Sequence, residues 1–257
     1  MRAVLVSVVV TVSVLAALLL PGCDDDDGGG TGSGVLTRDA LIGTWASSNG
    51  NVSYEFRADG SLVYEEESGS YEGTWSVTDG VLETSVGGTE TEEDVTYTDE
   101  WTVSSRAAIV GDILYFYGVG VRTGGSGSSL DGTWELEESE HFLTTVTGPD
   151  ETYTESEGFE DEETITVNGS TFESSWRNHE FWEGTLEPPV DREESGTTSG
   201  TIRVEGDLIS MTITEMDGTP VPVPDQEELF VGQRAASNVI VQSDEEVPFE
   251  DLGLHRQ

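Results

Sequence analysis

The chain has no lysine, one cysteine and three histidines in 257 residues. Without lysine there is no side-chain amine for Schiff-base chemistry. His141, His179 and His255 do not stand at metal-ligand spacing from one another, which speaks against a histidine-built zinc centre or a catalytic triad. A single thiol cannot make an intrachain disulfide. A Gly-rich phosphate loop between strand and helix is missing, and so is a Gly-x-Ser-x-Gly elbow. After the N-terminal segment, no stretch keeps apolar residues at helical spacing for three turns. Positive charge is scarce as well: ten arginines stand against 52 acidic residues, a net charge of −42. Such a surface repels nucleic acid and anionic membrane surfaces. With so many carboxylates, no single pair marks a glycoside-hydrolase site. Together these absences predict a protein that is not an enzyme and uses no metal and no cofactor.

What is present begins at the N-terminus. Met1-Arg2 precede an uncharged run from Ala3 to Leu20, followed by Pro21-Gly22-Cys23-Asp24. A short basic start, an apolar run and small residues at a cut site form the layout of a secretory signal peptide, here 1–22. The same run is also long enough for an uncleaved anchor helix. Leu20-Pro21-Gly22-Cys23 resembles the lipobox of bacterial lipoproteins. The resemblance implies cleavage before Cys23, diacylglycerol on its sulfur and acylation of the new N-terminus. Two or three acyl chains hold a protein stably on a bilayer, whereas one alone is marginal. Four aspartates and a Gly/Ser run then make 23–34 a disordered tether by composition. The expected location is the cell envelope, with the folded part facing the periplasm or the exterior and the bilayer as partner through Cys23.

The remaining chain reads as a duplication. Leu41-Ile42-Gly43-Thr44-Trp45 recurs as Leu130-Asp131-Gly132-Thr133-Trp134, and Gly73-Thr74-Trp75 is answered by Gly200-Thr201-Ile202. Arg106-Ala107-Ala108 matches Arg234-Ala235-Ala236. The second copy is longer between its first two landmarks, through acidic insertions around 137–163 and 176–194. Two domains are expected at 35–122 and 130–243, joined by a Gly/Ser linker at 123–129 and followed by an acidic tail at 244–257. Acid is unevenly placed: 35–122 holds 16 acids and 4 arginines, whereas 127–257 holds 32 and 5.

Alternation of apolar and polar residues makes the fold class all-β. Hairpins are expected about Asp59-Gly60, Asp79-Gly80, Asn168-Gly169 and Glu205-Gly206, because Asx-Gly pairs and isolated glycines supply the positive φ that tight turns need. Seven or eight short antiparallel strands per copy fit a small barrel or sandwich. The Gly-x-Trp start, the succession of hairpins and the late arginine resemble the lipocalin-like (calycin) domains found in bacterial lipoproteins. In that family the tryptophan plugs the closed end of the barrel and the arginine lies over its indole. Carried across, the resemblance names Gly43, Trp45 and Arg106 in copy one, and Gly132, Trp134 and Arg234 in copy two. Plain core packing would bury Trp45 and Trp134 equally well.

Two groups of side chains are candidates for contact with a ligand or partner. Trp176, Arg177, His179 and Trp182 crowd one insertion, and aromatics with arginine are the types that dominate binding hot spots. Alternatively this segment is two strands turning at Asn178-His179. Tyr54, Tyr115 and Tyr117 could line a cavity in copy one, although small barrels are usually filled by their own side chains. The expected function is a membrane-anchored envelope module that binds a small apolar ligand or a protein. The alternatives are a structural lipoprotein with filled barrels acting as an acidic spacer, and a calcium-dependent surface protein.

Overall fold

The computed structural model describes residues 36–67, 69–92, 94–125, 129–149, 152–184, 188–222, 228–242 and 253–257. The expected signal peptide, Cys23 and the expected tether lie outside the described residues, as do positions 244–252 of the expected acidic tail. Among the described residues the only helix is Arg38–Leu41, and none is long and apolar enough to cross a membrane. The fold is all-β.

Its first eight strands follow one another antiparallel. They are β1 (Gly43–Ala46), β2 (Ser53–Phe56), β3 (Ser61–Glu66), β4 (Gly69–Thr78), β5 (Val81–Glu92), β6 (Val95–Arg106), β7 (Ala108–Val110) and β8 (Ile113–Tyr115), with β1 to β6 each paired to the one before and β7 paired to β8. Between β6 and β7 the link is covalent, through buried Ala107 alone. Local chemistry sets the reversals. Between β4 and β5, Asp79 and Gly80 have φ of 52° and 84°, the two positive values of a turn whose twist matches the strands it joins.

A second series follows: β9 (Val119–Gly124), β10 (Gly132–Thr147), β11 (Thr152–Asn168), β12 (Thr171–Glu183), β13 (Val190–Glu205), β14 (Leu208–Met216), β15 (Thr219–Pro220), β16 (Glu228–Ala236) and β17 (Val239–Gln242). Leaving aside the two-residue β15, which only extends the edge of β14, these strands close on themselves. β9 pairs with β10, pairing then runs in order to β14, β16 and β17, and β17 returns to β9. The result is a closed antiparallel barrel of eight strands. The acidic insertions are the added length of β10 to β13, and Trp176 to Trp182 belong to one unbroken strand, β12, with no turn at Asn178-His179.

The last strand, β18 (Leu254–Arg256), pairs with β8 on one edge and β1 on the other, closing the first series into its own ring. Residues 254–256, assigned to an acidic tail on composition, therefore stand in a barrel wall. Conversely, Val119–Arg122, assigned to the first domain, pair in the second ring. The rings are also joined edge to edge, since β6 pairs with β10 from Thr96↔Thr147 to Ser105↔Glu138. One continuous sheet, β5-β6-β10-β11-β12-β13, thus runs through both.

Each ring has its own core. Trp45, Phe56, Leu62, Trp75, Leu82 and Leu114 fill the first, and Trp134, Ile165, Phe172, Ile202 and Ile209 fill the second. Trp45 and Trp134 are 0% and 1% exposed, and each indole Nε1 donates to the carbonyl four residues back, Leu41 at 2.7 Å and Leu130 at 2.8 Å. Gly43 and Gly132 both have φ of 135°, a conformation that L side chains rarely adopt. At Gly132 a Cβ would stand 2.0 Å from the Gly124 carbonyl oxygen, so no other residue fits.

The arginines over the indoles are not those the resemblance named. Arg256 lies 4.6 Å from the Trp45 ring and Arg122 lies 4.7 Å from the Trp134 ring. Arg106 instead pairs with Glu135 at 2.8 Å and Glu137 at 3.6 Å, tying the two rings, and Arg234 pairs with Asp207 at 3.5 Å. A guanidinium on a buried indole contributes about 0.5–2 kcal/mol wherever in the chain it originates. Proximity in sequence to the end of a repeat therefore does not identify it.

Candidate functional site

Residues directly opposite on paired strands share a face of the sheet. Two rows that begin inside the first ring continue across the shared sheet: Leu82, Ser105, Glu138, Asp161, Asn178, and Val86, Trp101, Phe142, Glu157, Trp182. Between them runs Thr84, Val103, Glu140, Phe159, Glu180. Beyond the barrel cores, this face becomes an open groove of aromatics and carboxylates.

At the mouth of the second ring the groove deepens into a cleft of about 190 Å³, whose walls include Leu136, Glu138, Asp161, Glu163, Trp176, Arg177 and Gln242. Gly118 and Val119 bound it from the crossover between β8 and β9. Glu138 accepts the Gly118 N–H at 3.0 Å, and burial pushes its carboxyl above the usual range against the lowering effect of that bond. Asp161 accepts from Asn178 Nδ2, and Glu163 accepts from Ser174 Oγ at 2.5 Å and Gln242 Nε2 at 3.4 Å. Next along the groove, Trp101 Nε1 donates to Glu140 at 2.7 Å. These four carboxylates are held by neutral donors; among the described residues none of them forms an ion pair. Phe142, 37% exposed, and Tyr97, 36% exposed, extend the aromatic surface outward.

Tyr117 stands near enough to Glu140 and Glu138 to feel their charge. It is 38% exposed, yet its hydroxyl bonds to Tyr54, and the phenol is raised first by burial and then by nearby Glu140 and Glu138. Tyr54 is buried against Tyr64 and Phe116 with ring centroids 4.9 and 5.4 Å away, and Tyr64 is itself pushed up to about 12 by burial. Tyr115 packs with Val119, Val239 and Val241 between the rings. Of the three tyrosines, Tyr117 is the one that feels Glu140 and Glu138, and Tyr54 is hydrogen-bonded to it.

The cluster Trp176 to Trp182 divides between faces because strand neighbours alternate. Trp176 and Trp182 lie on the groove side. Arg177 and His179 alternate to the other, where Arg177, which also borders the cleft, meets Glu193 at 2.8 Å and His179 joins Asp191 at 2.9 Å and Glu160 at 3.4 Å. Those carboxylates raise the His179 imidazole, Asp191 first. On that back face Phe181 lies over Gly158 with His141 and His179 at 5.5 and 5.6 Å. The sequence reading missed Trp101, Glu138, Glu140, Phe142, Asp161 and Glu163. Their signal was the alternation Glu138, Glu140, Phe142 inside the acidic insertion, masked by the general abundance of acid. Among the described residues no group of three or more Asp, Glu, His or Cys is placed to hold a metal ion.

Comparison with protein-family models, with curated proteins and with solved structures gives no match.

Proposed function

We propose that this is an exported, lipid-anchored interaction protein built from two lipocalin-like copies, whose inter-ring groove holds a basic segment of a protein partner at the cell envelope. The observation that carries this reading is the set of four carboxylates, Glu138, Glu140, Asp161 and Glu163, held only by neutral donors beside Trp101, Trp176 and Phe142. Arg177 at the cleft is committed to Glu162 and Glu193, so arginine or lysine side chains of a partner would supply positive charge to these four carboxylates and stack on the indoles. The packed ring interiors favour this over a small apolar ligand held inside a barrel. Cys23 and the segment before it supply the anchor, and the net charge keeps the folded part off an anionic bilayer.

Titration calorimetry with a synthetic peptide of alternating arginine and phenylalanine tests the groove. Saturable binding that weakens with salt is expected, and Glu140→Gln with Asp161→Asn should reduce affinity roughly tenfold, about 1.4 kcal/mol. Neutralising Glu83 and Glu173, outside the groove, should leave it unchanged. Equal loss from both pairs would reduce the effect to bulk charge and sink the proposal. For the anchor, a labelled fatty acid should be incorporated by the full chain and not by Cys23→Ser.

A further inference from the structure

The two rings begin alike and close alike. Trp45 stands opposite Arg256, and Trp134 opposite Arg122; the next pairs are Ala46 with His255, and Glu135 with Val121. On the other edge, Leu254 and His255 meet Leu114 and Ile113, as Gly120 and Val121 meet Ile240 and Val239. β18 and β9 therefore hold the same place in their rings. In chain order, however, β9 follows β8 of the first ring, and β18 follows β17 of the second. We propose that the two copies have exchanged their closing strands, so that the slot between β1 and β8 is a strand-binding site whose ligand is the chain's own terminal Leu254-His255-Arg256. The exchange rests on reading the rings as copies; the slot does not.

Side-chain size explains why the strands sit where they do. Gly120 and Leu254 are equivalent, yet a Cβ at Gly120 would come within 2.5 Å of Ile240 Cγ1. A leucine there would collide with the second ring's core. In the first ring Leu254 is buried in the core cluster with Trp45 and Leu114, and glycine in its place would leave a hole. Unexchanged strands would produce overpacking in one ring and a cavity in the other. The slot adds three further contacts: Arg256 N–H donates to Asp112 O at 2.9 Å, Gln257 N–H to Thr44 O at 2.9 Å, and the Arg256 guanidinium to Ala40 O above the Trp45 indole. Recognition is thus of an apolar residue, a spacer and an arginine in an added β-strand.

Paired cysteines distinguish the arrangements in the full chain carrying Cys23→Ser. Ala46→Cys with His255→Cys should oxidise to an intramolecular disulfide, whereas Ala46→Cys with Val121→Cys, opposed only if each copy keeps its own strand, should stay reduced. Closure of the second pair, or covalent dimers from the first, would overturn the assignment. As a direct reading of the slot, the labelled octapeptide of residues 250–257 should bind saturably to the full chain carrying Leu254→Ser and Arg256→Ala, and not to the unsubstituted chain. An Arg256→Ala octapeptide should bind roughly 2- to 30-fold more weakly. Failure of the substituted chain to take up the unaltered octapeptide would also count against the slot. Neither readout depends on the groove or on Cys23.

Discussion

Glu138 shows how one side chain can record its surroundings. Burial raises its carboxyl, with Asp161 and Glu140 adding to the rise, and the Gly118 N–H opposes it. A group whose folded pKa is raised contributes stability below its unfolded value, and that contribution is lost as pH rises through the folded one. Above that folded value the folded state therefore carries the cost of an ionised, half-buried carboxylate. Glu138→Gln keeps an acceptor for Gly118 and removes the charge. Urea titrations should find the variant more stable than the parent at pH 8, with the gap narrowing toward pH 5. A gap that is constant with pH would mean that Glu138 is not ionising inside the fold. The abundance of acid in the sequence says nothing about this, because the shift comes from burial and from neighbours on other strands.

At the scale of elements, the turns were the most legible part. Asp79-Gly80 takes two positive φ values, and Gly60, Gly169 and Gly206 take one each at the other expected reversals. Such turns depend on two or three adjacent residues, which is why they can be read locally. The length of β12 was not legible in the same way. Asn178-His179 looks like a turn by composition, but its backbone is held between β11 and β13 on both sides. Gly158 lies in that same sheet, where a Cβ would stand 2.3 Å from the Glu140 carbonyl oxygen and 2.6 Å from Phe181 Cζ. Gly158→Val should destabilise the protein by about 1–3 kcal/mol through overpacking, measured by urea unfolding. Parental stability in that variant would mean that Phe181 and the β10 backbone yield freely.

At the scale of the whole molecule, two features act together: a net charge of −42 and two rings joined by β6 with β10 and by the crossed strands β9 and β18. Self-repulsion of this size is screened over about 10 Å at 0.1 M salt and about 3 Å at 1 M. Raising sodium chloride from about 20 mM to about 0.5 M should therefore raise the melting temperature by several degrees. A melting temperature that does not move would show that the carboxylates are spaced widely enough for water alone. Calcium at equal ionic strength should give the same rise and no more, which separates screening from specific binding.

The sequence alone determined the all-β class, the glycine turns at 60, 80, 169 and 206, the buried Gly-x-Trp of each ring and the sign of the surface. Each of these rests on residue type, on period-two alternation or on a few adjacent dihedrals. Only the tertiary structure decided which arginine covers which indole, which strand closes which ring and which carboxylates meet without a cation. Those outcomes depend on residues far apart in the chain, such as Trp45 and Arg256. They were settled by volume and by register: Leu254 fits the core of the first ring, and only glycine fits at the matching place in the second.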